Sequence, residues 1–435
     1  MNLEDYILTT EEQSHKHRVH DQLMDILDLP MLQTISREQA GAQIEPLCFQ
    51  IMQDSPTPLS LESRKKIVRQ ILDEVLGHGP LEPLLSDPSI ADIMVNGAKN
   101  IYVERRGRIE RVPLTFNDDD HLMGVIERIV SGVGRRIDEL SPMVDARLKD
   151  GSRVNAIIPP LALNGPTLSI RRFTVEKLNI NSLIEFGSIT PAIGQVMEAV
   201  VKGKLNILIS GGTGTGKTTF LSVLSGFIPA DQRIITVEDS AELQLQQPHV
   251  VQLESRPANI EGRGEVSMRD LMKNTLRMRP DRIVVGEVRG AEAFDMLTAM
   301  NTGHEGSLTT VHANTPRDAL GRIENMVSMA GFDMPVKNIR TQVASALDVI
   351  IQLERQEDGT RRMVSLQEVH GMEGEIITMS EIFTFERTGV SAEGKVLGRH
   401  KATGVMPNFY DRLARRGMEL PRSLFGDDDV HRDIF

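Results

Sequence analysis

Apolar positions first recur at helical spacing at Ile67, Ile71, Leu72 and Val75, inside SRKKIVRQILDEVLG, and the pattern stops at Gly77-His78-Gly79-Pro80, a helix end. Residues 1–60 before it are polar, with one helix-prone run, DQLMDILDL, and close on the proline-marked DSPTPLS. They read as a helical, partly flexible appendage. From about residue 84 the period shortens to alternation. ADIMV, NIYVE and RIERVP read as strands divided by Asn96-Gly97 and Arg106-Gly107; MVDARL, SRVNAIIP and TLSIRRF follow, divided by KDG and NGP. One helix, DDDHLMGVIERIVSGV, interrupts them, and its aspartates suit a helix N-terminus. Residues 61–175 are therefore expected to form a helical lead-in followed by a small α+β domain.

After a linker over 176–190, apolar strands alternate with helices from 191 to 387, the pattern of a mostly parallel sheet covered on both faces. The expected class is α/β. The remainder, 388–435, ends in GDDDVHRDIF and reads as a solvated, partly mobile tail.

Forty per cent apolar and 25% charged residues fit a soluble globular chain, and no apolar run approaches the ~18–20 residues of a spanning helix. The N-terminus has no basic segment leading into an apolar one, so no secretory signal is expected. A single cysteine, Cys48, precludes an intrachain disulfide and suits a reducing compartment; the expected location is cytoplasmic. A formal charge of −12 and the absence of tryptophan disfavour a broad basic surface and base-stacking platforms, so no nucleic-acid partner is expected.

The chemistry concentrates in LNILISGGTGTGKTTFLSVLSGF, where an apolar strand, a glycine-rich turn and a helix follow one another. The turn matches GxxxxGK[ST], and Gly211, Gly212, Thr213, Gly214, Thr215, Gly216, Lys217, Thr218 and Thr219 are the expected nucleotide-binding residues. Glycines there let successive N–H groups converge on phosphates at a helix N-terminus. Lys217 would reach the β and γ phosphates of ATP, and Thr218 would ligate Mg²⁺. No guanine-reading NKxD pattern follows.

Two further apolar strands end in acids. RIITVED delivers Glu238 and Asp239, with Glu242 nearby; DRIVVGEVRG delivers Glu287, with Arg289 two residues on. Both Glu238 and Glu287 are candidates for holding the metal and orienting the attacking water, and the division between them stays open. A fourth strand, in TGHEGSLTTVHANTP, is bracketed by His304 and His312. Zinc would need more ligands, and no HExxH or GxSxG pattern occurs. The histidines read as part of a phosphate-sensing network, with core histidines as the alternative. His15, His17 and His20 read as a solvated face rather than a metal site.

Taken in order, GGTGTGKTT, ITVEDSAEL, DRIVVGEVRG and TGHEGSLTTVHANTP resemble the secretion-superfamily ATPases that drive type II secretion, type IV pili and type IV secretion. MVDARLKDGSRVNAIIPPLALNGPTLSIRRF and ESRPANIEGRGEVSMRDLMKNTLRMRPDRI are similar to the tight-adherence (Tad/CpaF) pilus branch. The resemblance spans about 65–387 and FYDRLARRGMELPRSLF. It implies a RecA-like P-loop motor domain preceded by a smaller, PAS-like α+β domain, and a homohexameric ring with nucleotide between the domains. It also implies catalysis by Lys217, Glu238, Glu287, His304 and His312, with Arg147 and Arg153 entering from the N-terminal domain. Arg171, Arg172, Arg263 and Arg279 are lesser candidates for that arginine role. The partners implied are inner-membrane platform proteins and, indirectly, pilin; the function implied is ATP-powered Tad pilus assembly and retraction, with type IV secretion traffic as the alternative and a RecA-like nucleic-acid motor as the third reading.

Overall fold

A computed structural model describes residues 6–27, 36–53, 59–105, 107–148, 150–172, 178–258 and 263–426. Residues 54–58 of the proline-marked linker, Arg106 and Lys149 of two expected turns, and 427–435 of the expected tail lie outside them. The chain divides into two compact units, Met1–Val175 and Glu176–Phe435.

In the first unit, helices α1 (Thr10–Ile26), α2 (Arg37–Gln53) and α3 (Leu61–Leu76) bury Val19, Leu23, Ile44, Cys48, Ile67 and Ile71 in a core of their own. α1 opens on a reciprocal cap: Thr9 accepts from the Glu12 N–H, and Glu12 accepts from the Thr9 N–H. His15 is buried on that helix and pairs with Arg18 at 3.2 Å, so the appendage is more packed than its polarity suggests. No metal-ligating cluster of three or more His, Cys, Asp or Glu occurs among the described residues.

Six antiparallel strands follow: β1 (Ile90–Asn96), β2 (Ile101–Arg105), β3 (Arg108–Arg111), β4 (Met143–Arg147), β5 (Arg153–Ile157) and β6 (Thr167–Arg171), in the order β3-β2-β1-β6-β5-β4. Helix α4 (Asp119–Ser131) packs Leu122, Val125, Ile126 and Ile129 on this sheet's core. The acidic run does cap α4: Asp118 accepts from the His121 N–H, while Asp119 reaches Ala98 N at 2.9 Å.

The second unit is a nine-stranded sheet of order β15-β14-β13-β12-β7-β11-β10-β8-β9. Its strands are β7 (Ile207–Gly211), β8 (Ile234–Glu238), β9 (Val250–Glu254), β10 (Arg282–Val285), β11 (Leu308–His312), β12 (Val349–Arg355), β13 (Arg361–Glu373), β14 (Ile376–Val390) and β15 (Val396–Ala402). β12, β7, β11, β10, β8 and β9 run parallel; the last three strands are antiparallel. Helices α5 (Ile180–Glu185), α6 (Pro191–Lys202) and α7 (Lys217–Ser225) cover one face, and α8 (Met268–Thr275), α9 (Glu292–Asn301), α10 (Pro316–Ser328) and α11 (Val336–Ala346) the other. Burial on both faces explains why β7, β8 and β10 are unbroken buried runs.

Two expected boundaries differ from the structure. Part of the 176–190 linker is α5, whose Leu183 enters the core together with Ile189. The expected tail is integral through residue 426: β14 continues to Val390, β15 extends the sheet, and helix α12 (Phe409–Arg415) buries Phe409 and Leu413 beside Phe425. The physical reason is anchoring by few, spaced apolar residues and by charge. Arg412 pairs with Asp348 at 2.5 Å and Arg416 with Glu305 at 2.8 Å, contacts that a polar average conceals.

Candidate functional site

The turn after β7 wraps Gly212–Gly216 onto the N-terminus of α7. Gly214 and Gly216 adopt φ of +73° and +88°, the left-handed region that lets consecutive N–H groups turn inward. Gly211 admits no side chain: an added Cβ would stand 2.6 Å from Thr215 Oγ1 and 2.7 Å from the Leu353 carbonyl. Lys217 is buried at the mouth of this cradle, donating to the Gly212 carbonyl at 3.0 Å. Burial lowers its pKa, opposed by the charge of Glu287 and assisted by that of Arg289. Thr218 is half-buried on the first turn of α7, whereas Thr213 and Thr219 are exposed.

Parallel register brings the other groups alongside. His312 pairs with Gly211 across β11 and β7, so its Nε2 lies 3.3 Å from Lys217 Nζ. The same Nε2 is 3.2 Å from Glu287 Oε1, two residues beyond β10. Arg289 donates through Nε and Nη2 to Glu287 Oε2, at 2.9 and 2.6 Å, and its Nη1 lies 3.4 Å from Asp239 Oδ2. Burial first, and then the Lys217 charge, lowers the His312 pKa and favours the neutral ring. Lys217, His312, Glu287, Arg289 and Asp239 thus form one connected polar cluster at the carboxyl ends of the strands, where open α/β sheets bind ligands.

Glu238 ends β8 nearby but is built into the backbone. Its Oε1 accepts from Glu242 N at 2.8 Å and Leu243 N at 2.9 Å, and its Cγ lies 2.8 Å from where a side chain on Gly286 would begin. Asp239 caps no helix; it accepts from Ser255 Oγ at 2.8 Å and faces Arg289.

His304 does not reach the cluster. It precedes β11, and His312 ends it, so four strand steps of about 3.3 Å each put them at opposite edges of the sheet. At that far edge His304 is partly buried, with no hydrogen bond to Nδ1 among the described residues, next to a structural anchor. The structure brings His312, and not His304, to Lys217 and Glu287. The motif read as one unit because a strand's length is invisible in a list of polar residues.

Arg147 and Arg153 face each other as register partners of β4 and β5 in the first unit, with Arg147 Nε donating to the Gly151 carbonyl at 3.0 Å. Arg172 donates to the Asp87 and Ile90 carbonyls, and Arg171 pairs with Asp92 at 3.3 Å, both ties within that unit's sheet. Arg263 is exposed; Arg279 is exposed too, with a φ of +55°, in the turn that leads into the start of β10. Sequence reading missed the Arg289–Asp239 contact and the two arginines at the β12–β13 hairpin, Arg355 and Arg361. Neither had a motif to announce it.

A family model described as Type II/IV secretion system protein matches residues 74–406. Rv3659c of Mycobacterium tuberculosis (strain ATCC 25618 / H37Rv), which bears a provisional conjugal-transfer name, is 38% identical over 315 residues, covering 71% of this chain and 89% of that protein. The type IV secretion system protein VirB11 of Bartonella quintana (strain Toulouse) is 32% identical over 318 residues, covering 64% and 88%. Among solved structures, the pilus retraction motor PilT with bound ADP is 19% identical with a TM-score of 0.48, covering 76% of this chain and 83% of that one.

Proposed function

Because the chain belongs to the type II/IV secretion system protein family, we propose that it is a Mg²⁺-dependent ATP hydrolase whose turnover drives macromolecular traffic in a type IV secretion machine. The observation that carries this reading is the convergence of Lys217, His312, Glu287 and Arg289 on a phosphate loop. The loop N–H groups and Lys217 hold the phosphates. Thr218, whose hydroxyl makes no hydrogen bond among the described residues, and Glu287, whose Oε1 has only the 3.2 Å approach of His312 Nε2 among them, fit the two-ligand, phosphate-rich site that Mg²⁺ prefers. Bound Mg²⁺ neutralises charge on the phosphates. Glu287 orients the attacking water, and His312 links the terminal phosphate to strand β11. Glu238 acts from behind as a brace for the 239–243 loop.

Relatives named for conjugal transfer and for VirB11 favour traffic over the pilus assembly expected from the sequence blocks. The Tad-type pilus reading stands second, supported by the MVDARL and ESRPANIEGRG stretches. In either case we read the second unit as RecA-like and the β1–β6 unit as PAS-like, assembled as a homohexamer beside inner-membrane platform proteins. No described helix is long and apolar enough to cross a membrane.

The test is Mg-ATP turnover by the purified chain, followed by co-purification from membranes with and without ATP. Secretion-channel subunits in the eluate support traffic; small pilin-like proteins with a multispanning partner support the pilus; no turnover in any oligomeric state refutes both.

A further inference from the structure

The hairpin that joins β12 to β13 reaches beyond the sheet edge on the side of the phosphate loop away from His312. β12 pairs with β7 through Leu353 opposite Gly211, and then runs two residues further, to Arg355. Arg355 and Arg361 are register partners at the hairpin's mouth, so two guanidinium groups flank the loop from one side. Arg361 Nε donates to the Gly214 carbonyl at 3.0 Å, and its Cδ lies 3.3 Å from where a Cβ on Gly216 would stand. Arg355 Nη1 is 3.5 Å from the corresponding point on Gly214. Arg361 is exposed, and its two Nη groups contact no carboxylate or carbonyl among the described residues.

The hairpin is braced as a platform would be. Asp358 accepts from Thr360 N at 3.0 Å and from Val396 N at 2.9 Å, while the Arg361 carbonyl accepts from Ser188 Oγ at 2.6 Å. The exposed Arg361 guanidinium, with no carboxylate partner among the described residues and tied to the Gly214 carbonyl beside a phosphate loop, is arranged for anionic oxygens.

We propose that Arg361, aided by Arg355, is a second cationic arm of the nucleotide site, holding the diphosphate common to ATP and ADP at the end remote from Glu287. The sheet order supplies the direction: Lys217, His312 and Glu287 lie toward β11 and β10, whereas the hairpin lies across β7 from them. The inference rests on the nucleotide reading above.

Calorimetry of ADP and of inorganic pyrophosphate tests it on the full-length protein, at low and high salt. Arg361→Ala is expected to weaken both ligands about tenfold, less so at high salt, and Arg361→Lys to recover part of the loss. Arg355→Ala acts in the same direction with smaller size. In turnover, Arg361→Ala raises KM for ATP about tenfold while kcat changes by less than about threefold. Unchanged ADP affinity in Arg361→Ala overturns the proposal. So does an equal loss in Arg361→Lys accompanied by a lower Tm of the ligand-free protein, which marks a mere brace for Gly214. If Arg361→Ala does not fold, the lysine variant and Arg355→Ala decide the matter by the same readings. Failure of the wild-type chain to bind ADP removes the nucleotide reading itself, whereas wild-type binding matched by the variants removes this inference alone.

Discussion

Lys217 and His312 meet at 3.3 Å, Nζ to Nε2, across the parallel pair β7 and β11. The ammonium therefore faces a ring that burial and the lysine's charge keep neutral, and its other hydrogen bond among the described residues goes to the Gly212 carbonyl of the loop. Phosphate oxygens are stronger partners than either. Lys217→Ala is expected to lower ATP turnover by at least about 100-fold, with ligand-free stability little changed. Wild-type turnover in that variant, read by phosphate release, would refute the phosphate-loop assignment.

Glu287→Gln is expected to retain ATP affinity within about threefold while slowing hydrolysis about 100-fold, because the amide cannot polarise water as a carboxylate does. Glu238→Gln should instead lower Tm, since one carboxylate oxygen accepts two backbone N–H groups and the neutral amide oxygen would hold them without charge assistance. Equilibrium binding and single-turnover kinetics on both variants assign the roles. Slow hydrolysis in Glu238→Gln alone would exchange them.

At the far edge of the sheet, Arg282 is fully buried. It donates to Gln232 Oε1, the Gly306 carbonyl and the Val201 carbonyl, and burial, reinforced by Arg416, pushes its pKa down to about 10. Gly306 has a φ of +79°, and an added Cβ would lie 1.8 Å from Arg282 Nη1. Gly306→Ala should destabilise by about 3 kcal/mol or more in urea unfolding. Gly303→Ala also carries a positive φ but meets nothing within 4 Å, and should cost only about 1 kcal/mol. Equal losses at the two positions would contradict the packing argument.

Glu368 joins β13 to the C-terminal helix by accepting from Asn408 N at 2.8 Å and Phe409 N at 2.7 Å. Burial raises its pKa, outweighing those bonds and the nearby His370, with Asp348 adding to the rise. A carboxyl with a raised folded pKa contributes stability that is complete below its unfolded pKa, near about 4.5, and is lost as pH rises through the folded value. Thermal unfolding of wild type against Glu368→Gln from about pH 4 to about pH 8 should therefore show the steeper fall with rising pH in the wild type. Parallel profiles would remove Glu368 as the source.

The alternation in residues 90–171 was legible because the strands are short and all but the exposed β3 carry buried positions among more exposed ones, and the acidic helix cap at Asp118 was legible because it is equally local. The phosphate loop, Glu287 and His312 were legible because each lies at a strand end carrying its own motif. His304 lies apart from that cluster because the same box spans both edges of the sheet. Arg361 was illegible: ERQEDGTRR reads as a turn, and only the pairing of β12 with β7 puts that turn beside Gly214. The terminal helix was hidden because Arg412 and Arg416 at its end are held by Asp348 and Glu305, far away in the chain.

Phe425 closes the same apolar core that Leu183 and Ile189 begin, so the second unit cannot finish its interior until nearly all of it has been synthesised. The first unit is different, for its cores draw only on residues up to Ile170. On the ribosome the amino-terminal unit can be complete while the strands behind it still await Phe425, a sequential order of maturation in which the second unit closes its interior last.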